Sequence, residues 1–168
     1  LVSALLIWAM DKGYIDGALT SFLEGDGSTW KAIPGVAANK EEILASAGSR
    51  YTYSANTLAY NDAIESGAER IALVGMSCQS SIPPVMKQRK AGKLARRLSL
   101  NIGLLCSKTF DDAIFEELLE AKYELPRAVI KKMNIKGKLQ IWTHDDRYVE
   151  VPLKECHEYT REGCKMCP

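Results

Sequence analysis

Arg70-Ile71-Ala72-Leu73-Val74-Gly75-Met76-Ser77-Cys78-Gln79 decides the fold. Its first half is a short, near-continuous apolar run. An apolar stretch of this length, closed by glycine, reads as a strand buried on both faces of a parallel sheet. The stretch Ser99–Cys106 reads as a second strand of the same type. A helix entered at Pro83-Pro84 joins the two, because proline suits the first helical turn. Strand, helix and strand in succession predict an α/β layer with a right-handed crossover.

Upstream, Leu1–Lys12 has helical apolar spacing and Gly13 stands where a left-handed cap belongs. Tyr14–Leu23 reads as a strand, Glu24–Thr29 as a turn, and Trp30–Ala38 as a strand broken by Pro34. Asn39 with Glu42 forms a capping-box pattern for the next helix, and Asn56 is placed to cap a helix through Ile64. Downstream, Asp111–Lys122 and Arg127–Met133 read as helices. Gly137–Thr143 and Arg147–Leu153 flank a turn at His144-Asp145-Asp146 and predict a β-hairpin. The expected fold is therefore α/β: a mixed, largely parallel sheet flanked by helices, with a C-terminal hairpin leading to a C-x-x-C.

The 168 residues are 46% hydrophobic and 26% charged, the balance of one ordinary soluble domain spanning 1–168. A net charge of +1 speaks against a globally electrostatic nucleic-acid binder. The longest apolar run, Ala4–Met10, is too short to span a bilayer. It also lacks the basic flank of an export signal, so the expected location is cytoplasmic. The chain starts at Leu1 inside a helical pattern and stops on Cys164-Lys-Met-Cys167-Pro168, which reads as the ordered part of a longer polypeptide.

Five cysteines, an odd number without an export signal, argue against a disulfide framework. Cys78 and Cys106 each follow a predicted parallel strand. Their thiols should emerge on the same sheet edge, where open α/β sheets bind ligands. With the C-x-x-C of Cys164 and Cys167 they make four thiolates, a set that suits structural zinc or an iron–sulfur cluster. The bland alternative is a set of unlinked thiols with a chance C-x-x-C. Cys156, next to His157, reads as a surface pair in preference to a spare ligand. His144 reads as an exposed turn residue, and Trp8, Trp30 and Trp142 as core or interface anchors.

The stretch "IALVGMSCQ" (Ile71–Gln79) resembles the beta subunit of coenzyme F-420 (F420)-reducing hydrogenase and its relatives, which share a G-x-x-C-Q loop. Val2–Leu6, Gly48–Thr52 with Ser54 and Asn56, Gly103–Cys106 with Phe110, and Gly163–Cys167 follow the same family pattern in order. The resemblance implies an F420-dependent flavoprotein with FAD and a 4Fe-4S cluster, passing electrons between hydrogenase or dehydrogenase partner subunits and the deazaflavin. It implies Cys78, Cys106, Cys164 and Cys167 as cluster ligands, with no side chain serving as a classical acid–base catalyst. Ser3, Ser49, Tyr51, Thr52, Ser54 and Asn56 are expected along the FAD pocket and Gln79 near the isoalloxazine ring. The glycines that usually precede the first helix are absent here. Ser107-Lys108-Thr109 departs from the acidic-polar residues expected after Cys106.

Lys87–Arg97 holds six cations and no anion. It reads either as a solvated face or as a dock in which Arg96 and Arg97 receive the phosphate of a cofactor. A different class of protein, a zinc-stabilised interaction or nucleic-acid-binding domain, uses the same basic segment. It lacks interleaved aromatics or a nucleic-acid motif. Within the family, relatives serve formate, sulfite, glutamate synthesis or chlorophyll-intermediate reduction.

Overall fold

A computed structural model describes residues 1–167, whose contacts fall into two compact units. The first comprises Leu1–Phe22, Ile33–Gly48 and Ser54–Cys106. It carries α1 (Val2–Asp11), β1 (Gly17–Leu23), β2 (Ala32–Ala37), α2 (Lys40–Ala45), α3 (Tyr60–Glu65), β3 (Ile71–Met76), α4 (Ser77–Ser80), α5 (Ile82–Gln88), α6 (Gly92–Ala95) and β4 (Leu98–Leu104). The strand order is β2-β1-β3-β4, with β3 running parallel to both β1 and β4.

The apolar run behaves as its composition demands. Ala72 and Val74 pack with Leu6, Ala9 and Ile43 of α1 and α2. Ile71 and Leu73 pack with Ala59 and Ala63 at the α3 end. Alternate side chains thus enter two separate cores, one on each face, and neither face of β3 can tolerate a polar residue. Complete burial of a residue such as Ile71 or Leu73 stabilises the fold by about 1.5–3 kcal/mol. β4 departs from the expectation. As the last strand of the order it is only partly covered, and Leu104 and Leu105 are exposed.

Local signals set the element ends. Gly13 takes φ +69° and its N–H donates to Met10 O, closing α1 as a left-handed cap. Asn39 Oδ1 accepts from Glu42 N at 2.9 Å. Glu42 Oε2 accepts from Ala38 N at 2.6 Å, one residue earlier than the usual capping box. Asn56 does not cap α3; it lies inside a 3-10 turn, Asn56–Ala59, and its amide serves the sheet instead. Pro83 and Pro84 occupy the first turn of α5. The basic segment is not one helix, since Lys90 at φ +60° separates α5 from α6.

The second unit comprises Leu23–Ala32, Ser49–Tyr53 and Ser107–Pro168. Its antiparallel sheet has the order β5 (Ile130–Ile135), β6 (Lys138–Thr143), β7 (Tyr148–Pro152). The β6–β7 hairpin is the expected one. The helix expected over Arg127–Met133 is instead a 3-10 turn, Arg127–Val129, running into β5. Pro126 at ψ 147° delivers the chain extended, and β5 buries Ile130 and Met133 against Leu139 and Ile141. Asp111–Lys122 is helical but wound largely as a π-helix, Ile114–Glu120. Cys156 is a fully buried member of this core. The surface placement expected of Cys156 beside His157 is therefore corrected. Burial pushes its thiol pKa up to about 11, which marks it as an inert packing residue.

Candidate functional site

Gly75 and Gly103 are register partners across β3 and β4, followed by the pair Met76 and Leu104. Each glycine stands three residues before a cysteine, so Cys78 and Cys106 leave adjacent parallel strands at the same, C-terminal edge. Both are exposed. The sequence already pointed to that edge; the pairing of the two glycines could be seen only once the register was known.

The glycines are there because α4 lies against both. A Cβ at Gly75 would come within 2.7 Å of Gln79 Cβ and 3.0 Å of Gln79 Oε1. A Cβ at Gly103 would come within 3.1 Å of Ser80 Oγ. Asn101 Nδ2 donates to Ser80 O at 2.7 Å, tying α4 to β4 as well. The helical turn that carries Cys78 is thus seated on two bare backbone positions.

A buried polar network holds it from the other side. Gln79 is 2% exposed, and its Nε2 donates to Ser54 O at 2.6 Å. Ser54 Oγ donates to Asn56 Oδ1 at 2.7 Å, and Asn56 Nδ2 donates to Val74 O at 2.8 Å. Three residues expected near the flavin are therefore brought together. Gln79 Oε1 is buried with no hydrogen-bond donor among the described residues.

Other expected residues lie elsewhere. Ser3 is half-buried on α1, and Ser49 is exposed. In the second unit Thr52 is buried and bridges Phe110, while Tyr51 OH reaches Asn134 Oδ1 at 3.4 Å. Arg97 Nη1 donates to Ala68 O at 2.7 Å, so its guanidinium is partly committed to the fold. Arg96 is exposed, its Nε on Gly92 O of its own helix.

The C-x-x-C belongs to the second unit. Cys164 lies on the short helix Glu162–Lys165, half-buried, and Cys167 is exposed just after it. Two extended contacts fix the segment: Asp111 N donates to Tyr159 O at 2.7 Å and Arg161 N to Thr109 O at 3.1 Å. The Arg161 guanidinium stacks 3.9 Å from the Tyr53 ring centroid. Thr109 Oγ1 lies 3.1 Å from Cys164 Sγ, a contact that sequence patterning did not single out. No disulfide joins the cysteines. Among the described residues no group of three or more His, Cys, Asp or Glu stands ready to hold a metal ion. Nor is any helix among them long and apolar enough to cross a membrane.

The sequence matches the family described as "Coenzyme F420 hydrogenase/dehydrogenase, beta subunit N-term" over residues 1–60. The C-terminal counterpart of that same family description matches residues 68–168. The chain is 35% identical to the coenzyme F420 hydrogenase subunit beta of Methanothermobacter thermautotrophicus, over 99% of this chain and 60% of that protein. It is 32% identical to the coenzyme F420-dependent sulfite reductase of Methanocaldococcus jannaschii, over 99% of this chain and 28% of that protein. A chain of the F420-reducing [NiFe] hydrogenase complex from Methanosarcina barkeri superposes with a TM-score of 0.89 at 29% identity, over 99% of this chain and 58% of that one. The chain thus spans at most 60% of these relatives' length. With both family patterns running through both units, it belongs to the coenzyme F420 hydrogenase/dehydrogenase beta-subunit family.

Proposed function

We propose that this chain is the FAD- and 4Fe-4S-bearing part of an oxidoreductase subunit that moves electrons between a partner subunit and F420. One observation carries the reading: the register pair Gly75 and Gly103 sets two G-x-x-C segments side by side at the ligand-binding edge of a parallel sheet. Thiolates at such an edge suit iron, and the C-x-x-C offers a second pair. Cys78, Cys106, Cys164 and Cys167 are the ligands of this proposal.

The donor chemistry fits the group. All four sulfurs are thiols with some exposure, unlike Cys156. The orphaned, buried Gln79 Oε1 is the kind of acceptor that a flavin ring N–H satisfies. When bound, FAD supplies two-electron hydride exchange with the deazaflavin and one-electron exchange with the cluster. The chain's own residues do the holding. Ser54, Asn56 and Gln79 spend most of their polar groups on one another, so they build a rigid wall beneath Cys78. Arg96, exposed just after α6, is the better placed of the two arginines to receive a phosphate, because Arg97 is already bonded to Ala68 O.

The electron donor follows from the partner. Relatives as different as a coenzyme F420 hydrogenase subunit and a coenzyme F420-dependent sulfite reductase resemble this chain, which supports leaving the choice of donor to the partner.

The test is anaerobic purification of the full-length protein, with iron, sulfide, flavin and zinc measured on the same sample. Expected are four irons per chain, flavin released on denaturation, and F420 reduction by a reduced viologen dye. Stoichiometric zinc without flavin would overturn the reading and favour a zinc-stabilised interaction domain.

A further inference from the structure

Thr109 is 2% exposed, and the Cys164 sulfur at 3.1 Å is the polar neighbour of its hydroxyl. The placement is over-determined. Phe110 N donates to Tyr51 O at 2.8 Å, Asp111 N to Tyr159 O, and Arg161 N to Thr109 O. Those bonds fix Thr109 against the segment that opens the C-x-x-C helix. Cys164 N in turn donates to Arg161 O at 2.8 Å, which sets the sulfur's distance from that anchor. As neutral thiol and alcohol, either partner could donate. A metal-bound thiolate has no proton, so ligation leaves the hydroxyl as the donor.

We propose that Thr109 is a positioning residue for Cys164, donating its hydroxyl to the ligating sulfur and raising the reduction potential of the cluster. This rests on the cluster reading given above. Adding one electron to the centre breaks no bond and moves no proton; it adds one negative charge, part of which resides on the ligand sulfurs. A buried O–H aimed at one of those sulfurs stabilises the reduced form more than the oxidised form. Thr109 is itself 2% exposed, so water has little access to the position its hydroxyl would leave.

The experiment is spectroelectrochemical titration of the full-length protein purified without air. Wild type is compared with Thr109→Val, Thr109→Ala and Thr109→Ser, and iron content is measured on each. Val keeps the shape without the hydroxyl, Ala guards against a misfit of Val, and Ser restores the donor. Val and Ala should both shift the one-electron equilibrium about tenfold toward the oxidised form, about 59 mV more negative. Ser should stay within about threefold of wild type, about 28 mV. Loss of iron from Val and Ala but not Ser would equally support the assignment. Val or Ala with full iron and an unshifted potential would overturn it, as would loss of iron from all three variants. Wild type without iron would overturn the cluster reading itself, a result distinct from either.

Discussion

Replacing Gly75 by alanine is the sharpest perturbation of the candidate site. The backbone at Gly75 is not in the left-handed region, so alanine meets no conformational strain there. Exchanging glycine for alanine at such a position would by itself stabilise by about 0.4–1 kcal/mol. Sterics oppose this, since the new methyl stands 2.7 Å from Gln79 Cβ, an atom that no side-chain rotation can move. Relief requires α4 to lift, at an overpacking cost of about 1–3 kcal/mol. Lifting α4 also pulls Gln79 Nε2 from Ser54 O, and a buried amide and carbonyl left unpaired cost about 1–3 kcal/mol. The net expectation is a loss of about 1–5 kcal/mol.

Urea unfolding of the full-length protein reads this directly. Gly103→Ala is the internal control: its methyl would meet Ser80 Oγ at 3.1 Å, an atom that swings away by rotation about χ1. That variant should stay within about 1 kcal/mol of wild type. The mechanism also predicts coupling. In a Gln79→Ala background the Cβ contact remains and Gly75→Ala should stay costly. In a Gln79→Gly background the contact is gone and Gly75→Ala should cost almost nothing. A Gly75→Ala protein within about 0.5 kcal/mol of wild type, or one equally damaged in both backgrounds, would refute the reasoning.

Asn56→Ala removes the donor to Val74 O and the acceptor for Ser54 Oγ; a loss of about 2–3 kcal/mol in urea unfolding is expected. The Cys156 thiol is raised in the folded state, so its contribution is intact below the usual thiol pKa and lost as pH climbs toward about 11. Unfolding free energy should therefore fall between about pH 9 and 11, less steeply in Cys156→Ala, with iron content unchanged by that substitution. Arg96→Glu should raise the KM for F420 by about threefold or more, with a steep salt dependence and unchanged stability. Arg97→Glu should also lower stability, because it strips Ala68 O of its donor. An unaltered KM in Arg96→Glu would return the basic segment to an ordinary solvated face.

What could be read in advance followed from one-dimensional patterns. Ile71–Met76 announced a central strand because burial on both faces removes every polar residue. Gly13, Asn39 and the double proline marked helix ends because each answers an orphaned backbone group locally. β5 was missed because Ile130 and Met133 fit a helix as well as a strand. Their extended form is imposed by pairing with β6, a neighbour that no local window contains. Cys156 was misplaced for a related reason: its polar sequence neighbours say nothing of the core that encloses it. Asn56 looked like a cap because its type suits one, yet its Oδ1, the atom that would cap, accepts from Ser54 Oγ, and its Nδ2 is held by Val74 O, 18 residues away.

The same distinction applies to the two cysteine pairs. Cys164 and Cys167 are brought near each other by chain connectivity, and the local turn from Arg161 O to Cys164 N is enough to shape them. Cys78 and Cys106 are 28 residues apart, and only the β3–β4 register sets their relation. A slip of one residue would carry Cys106 about 3.3 Å along the strand axis relative to Cys78 and turn Gly103 away from Ser80. Gly75 and Gly103 guard against that slip, since only their alignment gives α4 a seat free of side chains. Gln79 then converts the seat into a latch through Ser54 O. The glycines of the two G-x-x-C segments therefore act as register keys. Their substitution should lower iron occupancy in proportion to the displacement of α4, more for Gly75→Ala than for Gly103→Ala. Equal iron in both variants and wild type would mean that the register, not the seat, is enough to hold the thiols in place.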